Sequence, residues 1–139
     1  MEKNNNIEKM ELLLRTICFN IRQKGREILQ DFDITPPQFD ALQFLVDEGE
    51  LTIGELSSKL FLAPSTITDL VDRMENSSLV KRIRDSKDRR SVKICVEDKG
   101  YRLINEVIDR RRNYLEELVK DMKKEDRERF IAYLEMLEK

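Results

Sequence analysis

The start of the chain carries an apolar stripe with helical spacing. Its members recur at intervals of three, four and seven residues: Ile7, Met10, Leu14, Ile17, Ile21, Ile28 and Phe32. This spacing predicts one long helix with a single apolar face. A second stripe follows Gly100 and comprises Tyr101, Ile104, Ile108, Leu115, Leu118 and Met122. A last helix is expected from about Glu125, with Phe130, Ile131, Leu134 and Leu137 as its apolar positions.

Three shorter helices are predicted between the long ones. Thr35 and Gln38 have the spacing of a capping box, with Pro36 at the first helical position, and Thr52 and Glu55 repeat that spacing. The third short helix is expected to start at Pro64 and to end at Asn76-Ser77-Ser78. Its inward stripe consists of Ile67, Leu70, Val71 and Met74.

The segment after these helices indicates a β-hairpin. Val80 to Asp85 and Ser91 to Val96 are predicted as two strands around the loop "SKDRR". The second strand alternates well between apolar and polar residues, whereas the first alternates poorly and depends on its partner. Two short helices joined by a tight turn and followed by a basic hairpin are the layout of a winged helix-turn-helix, within a mainly α fold.

Composition narrows the classes of function. The chain has 139 residues, which suits one domain, and it contains no histidine and only two cysteines, Cys18 and Cys95. The usual zinc ligands and the usual general base are therefore missing, and we expect no catalytic site, no metal and no cofactor. Two cysteines far apart, without an apolar leader, fit the reducing cytoplasm. Cys18 stands between apolar stripe positions and is predicted to be a small core residue, not a redox sensor.

Charge is unevenly distributed. The window from Lys81 to Lys93 holds seven cations against Asp85 and Asp88, a local charge of +5, so the rest of the chain carries −7 of the formal net charge of −2. A basic segment in an acidic chain is expected where one patch meets a polyanion. The alternative is a charged hairpin that only keeps an edge strand soluble.

The run "PSTITDLVDRMENSSLVKRIRDSKDRRSVKICVEDKG", Pro64 to Gly100, resembles the recognition helix and wing of the MarR family of bacterial transcriptional regulators. The resemblance is sharpest at Asp88-Arg89-Arg90 and covers nearly the whole chain. It implies a single domain over residues 1–139, with a winged helix-turn-helix DNA-binding region at 34–100 flanked by dimerisation helices at 5–33 and 101–139. The sequence differs from the family's usual pattern where Phe61 stands in place of glycine and Ala63 in place of a small polar residue.

The resemblance also implies which residues touch DNA. The recognition-helix candidates for the major groove and its phosphates are Ser65, Thr66, Thr68 and Arg73. The wing candidates are Arg84, Lys87, Asp88, Arg89 and Arg90, with Lys81 and Lys93 as further phosphate contacts. One of the two adjacent arginines is expected to enter the minor groove, while Asp88 pairs with the other arginine or with turn amides. Each hydroxyl on the helix has an alternative role in satisfying the helix start.

The expected function is that of a homodimeric repressor on a pseudo-palindromic operator, with half-sites roughly 10 bp apart. The resemblance adds a small-molecule effector that releases the DNA. Apolar stripes too extensive for the winged unit to cover also favour a partner copy, although they could pack on their own chain. A competing function is a winged-helix module that binds protein and presents its basic hairpin to an acidic partner.

Overall fold

The computed structural model describes residues 2–84, 87, 88 and 90–139, with the backbone alone for residues 2–4. Within them the mainly α fold expected from the sequence is confirmed. The elements in chain order are α1 Glu2–Asp31, α2 Pro36–Glu48, β1 Leu51–Thr52, α3 Ile53–Leu60, α4 Pro64–Asn76, β2 Val80–Arg84, β3 Val92–Val96, α5 Asp98–Val119 and α6 Lys124–Leu137.

Both predicted capping boxes are present. The Gln38 amide N–H donates to Thr35 Oγ1 over 3.4 Å, and the Thr35 N–H donates to Gln38 Oε1 over 3.0 Å. The Glu55 N–H donates to Thr52 Oγ1 over 3.1 Å, and the Thr52 N–H donates back to Glu55 Oε1 over 3.4 Å. These bonds satisfy helix-start donors that would otherwise lack partners, and they fix the first residues of α2 and α3.

The sheet has three strands, not the two of the predicted hairpin. β2 and β3 pair antiparallel with Val80 opposite Val96 and Arg84 opposite Val92. The short strand β1 pairs with the other edge of β3, where Leu51 lies opposite Ile94, and this gives the order β1-β3-β2. β1 therefore ties the entrance of α3 to the wing.

The chain divides into two compact units, Met1–Val107 and Ile108–Lys139. The prediction of a single domain over residues 1–139 stays a prediction. In the first unit, the core is built from apolar side chains of the short helices, the sheet and the start of α5. Its largest fully buried side chains are Leu42, Leu45, Leu56, Ile67, Val71, Met74, Val80, Ile94 and Val107.

α5 begins close against the strand that precedes it. A Cβ atom at Gly100 would lie 2.7 Å from Val96 Cγ1 and still closer to the Leu79 carbonyl oxygen. The backbone of Glu97 also donates to that carbonyl, over 2.9 Å. Only glycine fits this contact without a shift of the strand or the helix.

The second unit consists of the end of α5 and all of α6. Arg127 joins these two segments, because its guanidinium donates to the carbonyl oxygens of Val119 and Met122 over 3.0 and 3.3 Å and pairs with Glu116 at 3.1 Å. All residues 108–139 are described, and none of them is buried. Its apolar residues Leu118, Ile131, Leu134 and Leu137 are 55%, 54%, 46% and 67% exposed.

The apolar stripe of α1 is also largely uncovered. Ile28 is buried, but Ile7, Met10, Leu14, Ile17 and Ile21 are all exposed. Cys18 is exposed as well, so the prediction that it is a small core residue is wrong for the single chain. The stripe is present, yet the described residues of the first unit leave its N-terminal part exposed. No helix among the described residues has the length and apolar content needed to cross a membrane.

Candidate nucleic-acid interface

The helix α4 presents one buried face and one polar face. Ile67, Val71 and Met74 point into the core, and these positions hold the helix in place. The opposite face is exposed and carries the predicted recognition residues, namely Ser65, Thr66, Thr68 and Arg73, together with Asp69 and Asp72. The four candidates are therefore all accessible on one helix of the unit.

The start of α4 lacks a side-chain cap. Ala63 occupies the N-cap position and makes no side-chain hydrogen bond, and Pro64 provides the first helical residue. Backbone N–H groups at an uncapped helix start are available to bind an oxygen of a phosphate or a base. Thr68 donates its hydroxyl to the Pro64 carbonyl oxygen over 3.0 Å, so its donor is used locally and its oxygen is left as an acceptor.

Arg82 on β2 binds two carboxylates of α4. Its guanidinium lies 2.6 Å from Asp72 Oδ1 and 2.9 Å from Glu75 Oε1, and its backbone N–H donates to Glu75 Oε2 over 2.9 Å. Partial burial lowers the pKa of Arg82, but the hydrogen bonds and charges of the two carboxylates outweigh it, so the pKa is raised overall. The wing strand and the polar helix are thus held together by a charged network.

The sequence pattern did not reveal this network. In the sequence, Arg82 is only one of the seven cations between Lys81 and Lys93. A usable signal exists, because Asp72 and Glu75 are three residues apart on α4 and so lie on one helix face. Their partner, Arg82, cannot be identified from the sequence, because the contact forms only when β2 packs against α4. Asp72, which would repel a phosphate if it were unpaired, forms an ion pair with the arginine, which it shares with Glu75.

The loop between β2 and β3 is partly described. Asp88 Oδ1 accepts the backbone N–H of Arg90 over 3.0 Å, and the Asp88 carbonyl oxygen accepts the N–H of Ser91 over 3.0 Å. Asp88 therefore binds a turn amide, which is one of the two roles expected of it. Arg84, Lys87 and Arg90 are exposed. Arg89 lies outside the described residues, and so do Asp85 and Ser86.

Comparison with known proteins identifies the fold. The sequence profile of the MarR family matches residues 34–92. The chain is 48% identical over 120 residues to the HTH-type transcriptional regulator YsmB of Bacillus subtilis, an alignment that covers 86% of this chain and 82% of YsmB. The solved structure of a MarR family protein from Bacillus stearothermophilus superposes with a TM-score of 0.86 at 47% identity, covering 97% of this chain and 94% of that one. The chain belongs to the MarR family.

MarR family membership makes this protein a DNA-binding transcriptional regulator with a winged helix-turn-helix, in which α3 and α4 form the helix-turn-helix and β2 and β3 form the wing. A variant of MepR from Staphylococcus aureus, solved bound to an oligodeoxyribonucleotide, is similar at a TM-score of 0.78 and 25% identity, covering 92% of this chain and 94% of MepR. Among the residues that the structure describes, no cluster of three or more Cys, Asp or Glu side chains is placed to hold a metal ion.

Proposed function

We propose that this MarR family regulator is a repressor that binds a pseudo-palindromic operator as a homodimer, with α4 in the major groove and a wing arginine in the minor groove. The observation that carries the proposal is the Arg82 network, which fixes β2 of the wing to Asp72 and Glu75 of α4. Two DNA-facing elements are thereby held at one spacing before DNA arrives, so binding loses little entropy in ordering them.

The exposed residues divide into two roles. Ser65, Thr66 and Thr68 lie near the start of α4, where short hydroxyl side chains reach base edges and the uncapped backbone reaches a phosphate. Arg73, farther along α4, binds a phosphate of the DNA backbone. In the wing, Arg89 or Arg90 enters the minor groove while Asp88 orients the turn, and Arg84, Lys87, Lys81 and Lys93 contribute phosphate contacts.

The homodimer is supported by apolar surface within each unit. α1 exposes Ile7, Met10, Leu14, Ile17 and Ile21, and the second unit exposes Leu118, Ile131, Leu134 and Leu137. Apolar stripes of this length are rarely left in water on a soluble monomer. A second copy of the chain covers them and brings two recognition helices to successive major grooves, about 34 Å apart.

The protein acts by binding and not by catalysis, in line with relatives that are named as transcriptional regulators. It works in the cytoplasm, where its DNA is. Release by a small-molecule effector stays a prediction from the family resemblance.

The deciding experiment is selection of bound sequences from random duplex DNA with the purified protein. The proposal expects one enriched sequence with two inverted halves roughly 10 bp apart, centre to centre. Specific duplex should outcompete random duplex by about a thousandfold or more. Absence of any enriched sequence would contradict the proposal.

Salt dependence separates DNA binding from the protein-binding alternative. With several lysines and arginines on phosphates, the logarithm of affinity should fall steeply and linearly with the logarithm of salt concentration, by roughly 0.9 per phosphate contacted. A flat dependence on duplex DNA, together with binding to an acidic protein surface, would favour the alternative.

A further inference from the structure

The turn between the two helices of the helix-turn-helix contains an unusual residue. Phe61 ends α3 in the left-handed conformation, with φ 55° and ψ 39°. Three hydrogen bonds to Ser57 fix the turn: the N–H groups of Phe61 and Leu62 both donate to the Ser57 carbonyl oxygen, and the Ser57 hydroxyl donates to the Leu62 carbonyl oxygen. The backbone of Phe61 is thus held in a conformation that bulky residues seldom adopt.

Folding does not account for a phenylalanine at this position. The residue is 93% exposed, more than any other large apolar residue described, so its ring gains almost nothing from packing. Glycine would adopt the same φ and ψ without steric cost and would place no aromatic ring in water. A side chain that is unfavourable for both the backbone and the surface points to a use outside the folded chain.

The position of the ring suggests that use. Phe61 precedes Pro64, the first residue of α4, by three residues, so its exposed ring belongs to the turn next to the helix start that carries Ser65 and Thr66. We propose that Phe61 is a specificity-determining residue that packs against the C5 methyl group of a thymine at the edge of the major groove. This inference rests on the proposed function. The thymine methyl is the apolar group that base edges present in the major groove, and phenylalanine is one of the side chains that contact it.

The experiment uses the operator selected by the wild-type protein. Each thymine in one half-site is replaced in turn by deoxyuridine, which removes the methyl group and keeps Watson–Crick pairing, and affinity is measured by fluorescence anisotropy. We expect one replacement to weaken wild-type binding by roughly fourfold, the effect of one buried methyl group. Phe61→Gly should weaken binding to the unmodified operator by roughly tenfold and should show no further loss with deoxyuridine at that position.

Matched variants separate this contact from effects on folding. Ser78 also has a positive φ, of 63°, and Ser78→Gly changes a left-handed residue to glycine without removing an apolar side chain. It should bind the operator as the wild type does. Phe61→Gly should melt at the same temperature as the wild type or higher. Phe61→Leu keeps an apolar side chain and should retain part of the deoxyuridine effect.

The outcomes are distinguishable. If the wild-type protein selects no DNA sequence, the proposed function fails and this inference fails with it. If the wild type binds its operator and Phe61→Gly binds equally tightly, only the inference is overturned. If Phe61→Gly weakens binding but deoxyuridine has the same effect on both proteins at every position, the thymine contact is wrong, since the ring then touches the sugar-phosphate backbone.

Discussion

At the scale of single residues, Arg82 shows how the proposed DNA-binding face tolerates carboxylates. Asp72 and Glu75 stand on α4, the proposed recognition helix, where two negative charges would oppose a polyanion. Arg82 pairs with both of them, at 2.6 and 2.9 Å, and its positive charge offsets one of their two negative charges, while its own side chain remains 28% exposed. The two ion pairs together contribute about 1 kcal/mol to stability, as is typical of partly exposed salt bridges. Their larger effect is to make the electrostatic potential at the surface of α4 less negative.

Arg82→Met removes the charge and keeps a side chain of similar length. We expect it to weaken operator binding by roughly tenfold or more, because two unpaired carboxylates then face phosphates. The triple variant Arg82→Met, Asp72→Asn, Glu75→Gln should recover most of that affinity, since it removes the repulsion. Fluorescence anisotropy on the selected operator measures both effects. A triple variant as weak as the single one would mean that Arg82 acts only through the geometry of the fold.

Arg90→Ala tests the wing in the same way. Arg90 is exposed, and its backbone N–H is bound by Asp88, so its side chain can change without disturbing the core. Operator affinity should fall by about tenfold or more for whichever of Arg90→Ala and Arg89→Ala removes the guanidinium in the minor groove, because a favourable contact in a region of negative potential is lost. The melting temperature should stay the same. Wild-type affinity in gel-shift titrations of Arg90→Ala and of Arg89→Ala would contradict the wing assignment.

Much of the candidate site could be predicted because its signals are local. Ser65, Thr66 and Arg73 fall on the polar face as soon as the apolar stripe of α4 is known, and the wing is visible as a run of cations. Arg82 could not be assigned in this way, since its partners are contributed by the packing of β2 against α4. The αL conformation of Phe61 is also invisible in the sequence, where the turn is evident but its backbone angles are not.

At the scale of elements, the junction of β3 and α5 requires a residue without a side chain at position 100, which is Gly100. Gly100→Ala would place a Cβ 2.7 Å from Val96 Cγ1 and against the Leu79 carbonyl oxygen. We expect a loss of about 1–3 kcal/mol in the free energy of unfolding, because backbone has to move to make room. Urea denaturation measures it.

Gly54→Ala provides the matched control for that loss. Gly54 lies in α3, and a Cβ atom added there would have Thr52 Oγ1 as its nearest neighbour at 3.8 Å, an ordinary contact. Alanine there should raise stability by roughly 0.5–1 kcal/mol through helix propensity. Equal free energies of unfolding for Gly100→Ala and the wild type would contradict this prediction, because they would mean that β3 and α5 can move apart with little loss of stability.

The elements themselves were predictable to different degrees. The starts of α2 and α3 were evident because a capping box is encoded within four residues, Thr35 to Gln38 and Thr52 to Glu55. β1 was missed because Leu51 and Thr52 become a strand only through pairing with Ile94 and Lys93, more than forty positions away along the chain. For α1 the apolar face was predicted correctly, but a stripe does not reveal what covers it, and this is why Cys18 was wrongly placed in a core.

At the scale of the whole molecule, the dimer can be tested on α6. Ile131 and Leu134 are 54% and 46% exposed, so Ile131→Glu with Leu134→Glu would cost an isolated chain little. If a second copy covers them, buried and unpaired carboxylates should dissociate the dimer, and sedimentation velocity should show a monomer. Operator affinity should then fall by about a hundredfold or more, because each monomer binds only one half-site and the gain from bivalent binding is lost.

Lys124→Glu at the start of the same helix is the control, since it introduces a carboxylate at an exposed polar position. It should leave the dimer intact. A wild-type protein that sediments as a monomer at micromolar concentration, or a double variant that remains dimeric, would contradict the proposed assembly.

Residues 108–139 contain no buried side chain, and this has a consequence for the lifetime of the protein in the cell. A segment without a core opens at little cost in free energy, so an unpaired copy offers its C-terminal helices to proteases. Pairing in the proposed homodimer would raise that cost in proportion to the logarithm of the partner concentration. Single copies would then be degraded faster than pairs, so a modest drop in synthesis would lower the occupancy of the proposed operator by more than the drop itself.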